Sequence, residues 1–319
     1  MTNSIFKVLR SGINTTYQDE GRFGAQHLGI PTSGCMDHKS FILANAIVGN
    51  KKKYGVIEFA YQGPLLKLIK GKTKIAIAGN VHFKIINLNN DTINGECNRS
   101  YNLNEGDSID ILATDKSIYG YMSVEGGFKI KSFFHSVSTL VKARIGPNNG
   151  NKISLEDKIT TNQNRKNENN FKVNISSENS NTIRVLKGPQ YDFFSEKSKK
   201  LFFSQLYKVS NLTDRMGMRL EGQTLENIIN TNIRSEGITK GAIQVPADGQ
   251  PIILLTDCPT IGGYPKIANI ITADYDLLVQ KIPGTNISFK CIDLEEAEQL
   301  YKKKRNNISK IIKDIKKIN

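Results

Sequence analysis

Short runs of β-branched and aliphatic residues, each closed off by glycine or a polar turn, recur along this chain. Phe6–Leu9, Val56–Phe59, Lys74–Ala78, Ser108–Leu112, Ile118–Val124, Arg184–Leu186 and Pro251–Leu255 carry the alternation or the compact apolar run of a strand. A 3.6-residue apolar period is best developed over Ser40–Val48, Ser195–Leu206 and Leu294–Ile318. The pattern predicts a mainly β protein with a few helices, and the close glycine spacing favours barrels or sandwiches over βαβ units.

Between Asn148 and Asn181 the pattern fades, and eleven asparagines stand among Lys, Glu, Ser and Thr with scattered apolar residues. Such a stretch buries too little to offset its ordering entropy, so a mobile linker is expected at 148–181. It separates an N-terminal β lobe, 1–147, from a C-terminal one, 182–293. Each lobe opens with a similar strand, Phe6-Lys7-Val8-Leu9-Arg10 and Ile183-Arg184-Val185-Leu186-Lys187. Residues 294–319 form a basic helical tail with eight Lys or Arg from Lys302 onward. Its pattern fits a solvated helix packed by one face, or a helix that meets a membrane surface or partner.

Composition narrows the function classes. Hydrophobic residues make up 38% of the 319 and charged residues 23%, which suffices for one or two cores. The longest apolar runs, such as Ile252–Leu255, are strand-sized, so no membrane span is expected. Met1–Gly12 lacks the apolar stretch of a signal peptide, which makes the cytoplasm the expected location. Cys35, Cys97, Cys258 and Cys291 form no C-x-x-C pair, and His27, His38, His82 and His135 show no metal spacing. Neither a disulfide framework nor a metal site is expected. The net charge of +14 follows a drift toward Lys, Asn and Ile along the whole chain, with no Trp and no stacking motif. Nucleic acid is therefore not an expected partner.

Candidate chemistry concentrates between Leu212 and Asp274. In Arg215-Met216-Gly217-Met218-Arg219-Leu220, strand alternation sets Arg215, Gly217 and Arg219 on one face and the apolar residues on the other. Two guanidinium groups flanking a glycine suit an anion, and Gly217 lets a ligand approach the backbone. The competing reading pairs them at the surface with Asp214 and Glu221. Gln244 alternates against Ile243 and Val245. The strand after Asp248-Gly249 ends in Thr256-Asp257, followed by Gly262-Gly263-Tyr264-Pro265-Lys266, a loop offering backbone donors, a phenol and an ammonium. A second polar cluster runs from Thr15 to Asp37. Its glycines 21, 24 and 29 are not a G-x-G-x-x-G, and no Walker A sequence occurs, so any ATP site lies on another chain.

Taken together, these motifs resemble one family. Thr16-x-Gln18-Asp19-x-Gly21-Arg22-x-Gly24-x-Gln26-His27-Leu28-Gly29-x-Pro31-x-Ser33-Gly34-x-Met36-Asp37 is similar to the N-terminal signature of the biotin-dependent carboxyltransferase/allophanate hydrolase subunit 2 proteins, which include the 5-oxoprolinase C subunits. Asp214–Leu220, Ser235-Glu236-Gly237, Gly241–Pro246 and Gly262–Ile267 resemble its second half. Phe133–Gly146 matches only loosely a family segment richer in Gly, Ser and Arg, and Cys35 stands where the family often has Ala. The resemblance implies two cyclophilin-like β-barrel lobes. It also implies substrate contacts from Arg215, Arg219, Gln244, Gly217, Gly262, Gly263, Arg22 and Asp37, and catalytic candidates Asp257, Lys266, Tyr264 and His27. Three functions follow. The chain is a subunit of an ATP-dependent 5-oxoprolinase, inactive alone and working with subunits of types A and B on a lactam. Alternatively it is a carboxyltransferase acting on urea or a similar amide, its biotin carried by another chain or domain. Or it is a binding protein that antagonises a kinase inhibitor.

Overall fold

In the opening strand, Ile5–Arg10, the expected alternation is realised: Phe6 and Val8 are fully buried while Leu9 is exposed. The computed structural model describes residues 3–162, 168–176, 179–229 and 232–318. They divide into two compact units. Met1–Arg22, Asp37–Ser176 and Ile308–Asn319 make the first; Phe23–Met36 and Ser177–Asn307 make the second.

The first unit is built on two antiparallel sheets. One runs Lys158–Thr160, Ile5–Arg10, Leu65–Lys70, Ser108–Thr114, Val81–Ile86, Thr92–Asn94. The other runs Thr16–Gln18, Val56–Ala60, Tyr119–Val124, Thr73–Ala78, Arg99–Leu103, Asn170–Lys172, Lys316–Ile318. Phe6, Leu66 and Ile111 from the first sheet share a core with Ile57, Phe59, Ile77 and Met122 from the second. Val56–Ala60, Thr73–Ala78 and Tyr119–Val124 are buried at every position. Their strands need cover on both faces, and the helix His38–Ile47 lies over them.

The second unit is a closed seven-stranded barrel. Its order is Thr182–Lys187, Lys266–Ile270, Ala242–Gln244, Ile252–Leu254, Gly217–Glu221, Tyr207–Thr213, Asn286–Cys291. The last strand closes on the first in the parallel sense. Val185, Met218, Leu220, Ile243, Ile253 and Ile267 are fully or almost fully buried. Outside the strands, Phe202 of the helix Glu196–Ser204 stacks on Phe289 at 4.7 Å, and Ser195 caps that helix by accepting from the Ser198 amide. Thus both expected β lobes exist, one a closed barrel and the other a pair of stacked sheets.

The units divide the chain differently from the expected boundaries. Phe23–Met36 groups with the barrel, while the strand before it and the helix after it group with the first unit. Within 148–181, the described residues up to 176 belong to the first unit, where Lys158–Thr160 pairs with Ile5–Lys7 and Asn170–Lys172 pairs with Lys316–Ile318. Their scattered apolar residues Ile153, Ile159 and Val173 are buried. Strand addition to an existing sheet supplies main-chain bonds without requiring an apolar core of its own. Residues 163–167 and 177–178 of the expected linker lie outside the described residues. In the tail, the helix is Leu294–Lys313 and the chain then turns into a strand, Lys316–Ile318, because Asn170–Lys172 offers it a ladder. Ala297 and Leu300 pack with Ile271 and Ile292, whereas Ile311 and Ile315 pack with Val48 and Val173. Much of the apolar face of the tail is therefore occupied, while Leu294 and Tyr301 stay exposed. Among the described residues no helix is long and apolar enough to cross a membrane.

Candidate functional site

Four neighbouring barrel strands set up the site through their register. Arg219 stands opposite Ile252, Ile252 opposite Gln244, and Gln244 opposite Lys266. Side chains opposed in register share a face. Because Met218, Ile243, Ile253 and Ile267 fill the apolar side, this row belongs to the outer wall. A two-stranded ribbon, Glu236–Gly237 with Ile261–Gly262, covers part of it. At Gly262 a Cβ would come within 2.8 Å of Gln244 Nε2, so the ribbon lies in close contact with the wall here. Gln244 and Lys266 are buried in consequence, while Arg219 remains exposed.

Lys266 has its ammonium under the ribbon, paired with Glu236. Gln190 ties the arrangement together. Its Nε2 donates to Glu236 Oε1 at 2.7 Å, its Oε1 accepts from the Lys266 amide at 3.2 Å, and its own amide donates to the Lys266 carbonyl at 3.3 Å. The bond from Lys266, and after it the bond from Gln190, holds the Glu236 carboxyl below the usual carboxylate range. A buried ammonium with a half-exposed carboxylate beside it can polarise a carbonyl oxygen and accept a proton nearby. Tyr264 is 40% exposed at the ribbon's end, and the Gly263 carbonyl accepts from the Ile233 amide at 2.8 Å.

Arg215 does not share the face of Arg219. Asp214 Oδ1 accepts from the Met216 and Gly217 amides, at 2.7 and 3.2 Å, which makes residues 214–217 a turn; the strand starts at Gly217. The alternation expected across 215–219 therefore begins two residues late. Arg215 is instead buried against Asp257, with Nε to Oδ2 at 2.8 Å and Nη2 to Oδ1 at 3.1 Å, and Nη2 also donates to the Gly34 carbonyl at 2.6 Å. The Asp257 amide donates back to the Arg215 carbonyl at 2.9 Å. This bidentate pair places both residues in the framework that joins the 214–217 turn, the end of the Ile252–Leu254 strand and the segment 23–36. Because Arg215 is buried, a pairing at the surface does not describe it either. Among the described residues Arg219 has no ion-pair partner.

The N-terminal candidates have contacts of their own. His27 sits exposed on a single turn, Gln26–Leu28. Asp37 caps the helix His38–Ile47: Oδ1 accepts from the Ser40 amide at 3.0 Å and Oδ2 from the Ser40 hydroxyl at 2.7 Å. Arg22 is completely buried in the first unit, donating from Nη2 to the Ser138 carbonyl at 2.7 Å and from Nε to the Phe133 carbonyl at 3.2 Å. Asp19, which was not among the candidates, works on the same stretch: it accepts from the Ser136 and Ser138 hydroxyls and the Val137 amide at 2.5–2.7 Å. Among the described residues no group of three or more His, Cys, Asp or Glu is placed to hold a metal ion.

The carboxyltransferase domain, subdomains A and B, matches this chain over residues 28–291. The chain belongs to that family. It is 32% identical over 291 residues to the 5-oxoprolinase C subunit of Haemophilus influenzae, covering 90% of this chain and 91% of the relative. To the 5-oxoprolinase C subunit of Escherichia coli it is 30% identical over 298 residues, with 92% and 93% covered. It is also 32% identical to urea amidolyase of Lachancea kluyveri, over 92% of this chain and 17% of that protein. Among solved structures, the urea amidolyase of K. lactis superposes with a TM-score of 0.88 at 27% identity, over 98% of this chain and 20% of that one. The chain thus spans about one fifth of that enzyme and nearly the full length of the two 5-oxoprolinase C subunits.

Two residues of the outer-wall site escaped the sequence reading as candidates. Glu236 was visible in Ser235-Glu236-Gly237 as an acidic residue beside glycine. Gln190 carries no sequence signal at all, since its role comes from the fold that brings it to Lys266 76 residues later.

Proposed function

We propose that this chain is the C-type subunit of an ATP-dependent 5-oxoprolinase, acting with A- and B-type subunits to open a lactam carrying a carboxylate. The observation that carries this reading is the reciprocal coverage with two 5-oxoprolinase C subunits, about nine-tenths of each partner in both comparisons. The outer-wall row fits such a substrate. Arg219 and Lys266 lie three strand spacings apart, about 14 Å between main chains. Arg219 is exposed at one end of this row and the ribbon covers Gln244 and Lys266, so a small molecule would reach Lys266 only along the ribbon's edge. In this reading Arg219 takes the carboxylate, Lys266 polarises the amide oxygen, and Glu236 handles a proton at its own carboxylate. Tyr264 and the Gly262-Gly263 turn border the site. Arg215 and Asp257 position the strand ends and do not touch substrate. When bound to the complex, ATP supplies the activation that lets water cleave the lactam C–N bond; this chain has no phosphate loop to hold it.

A second reading, transfer of a carboxyl group to urea or a similar amide, is favoured by the match to urea amidolyase. Biotin would be carried by another chain or domain, and the same polar row suits a planar amide. Steady-state kinetics of the reconstituted subunits separate the readings: turnover of 5-oxoproline with ATP is expected, and urea-dependent turnover of carboxybiotin would replace it in the second. In the first, Arg219→Lys should lower kcat/KM about tenfold to a hundredfold with melting unchanged, because a planar bidentate contact is lost. Equal kinetics for Arg219→Lys and wild type would remove Arg219 from the site.

A further inference from the structure

Residues 188–190 are built against the strand that carries Lys266. The Gly188 amide donates to the Ile267 carbonyl at 2.9 Å, and a Cβ at Gly188 would lie 2.2 Å from the Lys266 carbonyl oxygen. A backbone oxygen in a sheet cannot step aside for a side chain, so glycine permits this approach. Pro189 fixes the next φ, and Gln190 then brackets Lys266 from both sides of its main chain. The Gln190 amide donates to the Lys266 carbonyl, and the Gln190 side-chain oxygen accepts from the Lys266 amide. The second bond decides how the carboxamide is turned. A main-chain amide only donates, so Oε1 has to face it and Nε2 has to face Glu236.

Both donors described for the Glu236 carboxylate fall on a single oxygen. Lys266 Nζ and Gln190 Nε2 meet Oε1, whereas Oε2 has no partner among the described residues. A lock meant only to hold the ribbon would gain more by spreading two donors over two oxygens. The ammonium is incompletely used as well. Lys266 Nζ is enclosed and carries three donors, and Glu236 is its one described partner. One ion pair thus keeps a carboxylate oxygen and two ammonium donors in reserve.

We propose that Gln190 is a positioning residue that holds Glu236 by Oε1 and so reserves Oε2 as the atom that accepts a proton. This rests on the reading of Glu236 as the group that handles a proton in lactam opening. In that role Oε2 takes one proton from the attacking water while the water oxygen bonds to the lactam carbonyl carbon. The carbonyl π pair moves onto the oxygen that faces the Lys266 ammonium, and Glu236 becomes a neutral carboxyl with Oε1 still held. Lys266 is the charged group that acts on this carboxylate from the wall. Gln190 is uncharged, the ribbon partner Ile261–Gly262 brings no titratable side chain, and Tyr264 follows it; Arg234 and Lys240, on the segment of Glu236 itself, are exposed.

The test reads the Glu236 carboxyl directly, by carbon NMR titration of the full chain labelled at glutamate, with Glu236→Gln identifying the signal. Gln190→Met removes a donor to the charged form, so the carboxyl pKa should rise toward the ordinary range. Gln190→Glu keeps an oxygen for the Lys266 amide but sets a second carboxylate against Glu236, so the pKa should rise further. It carries the same test if Gln190→Met does not fold, with Tm as the control. In the reconstituted complex, the acid limb of kcat/KM should move to higher pH in the same order. The plateau kcat should fall about tenfold to a hundredfold with KM little changed, because the base is misplaced. A Glu236 pKa that is the same in all three proteins overturns the proposal. A shifted carboxyl with an unmoved acid limb overturns Oε2 as the proton acceptor. A shifted carboxyl in a complex that does not turn over 5-oxoproline leaves the bracket standing and overturns the 5-oxoprolinase reading instead.

Discussion

Two buried arginines, one in each unit, solve the same problem in opposite ways. Arg215 meets a carboxylate, Asp257, in a bidentate pair, whereas the bonds described for Arg22 run to two main-chain carbonyls of one hairpin. The first arrangement balances charge between two parts of the barrel that are distant in sequence. The second uses the guanidinium as a planar brace that fixes backbone geometry. Burial alone does not reveal which role an arginine has; its acceptors do. The same contrast separates the outer-wall site, where charged groups converge around Lys266, from the 133–138 segment, where Arg22 and Asp19 hold main chain and hydroxyls.

Removing one side of the buried pair should give the largest effect. Arg215→Met leaves Asp257 charged and enclosed, and unfolding in urea should show a loss of about 3–5 kcal/mol. The double variant Arg215→Met/Asp257→Leu should recover a substantial part, because no orphaned charge remains. If the double variant is as damaged as the single, the carboxylate is not the reason for the loss. For Arg22→Met the carbonyls of Phe133 and Ser138 lose a donor, which alone should cost about 1–3 kcal/mol. Amide exchange should accelerate across 133–138 in particular. Unchanged exchange across 133–138 would remove Arg22 as the support of that segment.

Smallest of all is Glu236→Gln. Its carboxylate is half-exposed, and glutamine keeps an oxygen that can accept from the buried Lys266 ammonium, so the cost should be about 1 kcal/mol. The sign is nevertheless fixed. Glu236 has a folded-state pKa below its unfolded value, so its contribution is complete above the unfolded pKa, near 4.3, and is lost as pH falls through the folded pKa. The difference in Tm between wild type and Glu236→Gln should therefore be largest near neutral pH and vanish in acid. A difference that grows in acid contradicts the pairing. Activity should fall much more than stability, since the proposed role of Glu236 is chemical.

How much of this was legible in the sequence depends on the range of the interaction. Met218 and Leu220 alternate with Arg219 as neighbours on one strand, and that local pattern correctly set Arg219 apart from the apolar side. It failed at Arg215, where the Asp214 side chain turns the backbone before the strand begins. Asp257, 42 residues away, could be recognised as a polar strand end but not as the partner of Arg215. Asp37 sits three residues before Ser40 and ahead of an apolar run, a capping arrangement readable from spacing alone. The family resemblance instead drew it toward the substrate. The Asn-rich stretch was judged by what it could bury, but its strands at 158–160 and 170–172 draw on ladders that other segments provide, and composition does not record those.

The strand Lys316–Ile318 borders Asn170–Lys172, which borders Arg99–Leu103 in a unit whose first strand is Ile5–Arg10. During synthesis the barrel residues up to 307 emerge before that sheet can receive its last member. The barrel can then complete its own hydrogen bonding first, while the N-terminal unit waits with the edge of Asn170–Lys172 unpaired. An unpaired edge is a template for another chain. Residues 316–318 thus exchange that edge late for one carrying Lys316 and Lys317, and a chain ending at Lys313 would keep the Asn170–Lys172 edge bare on the sheet that starts with Thr16–Gln18.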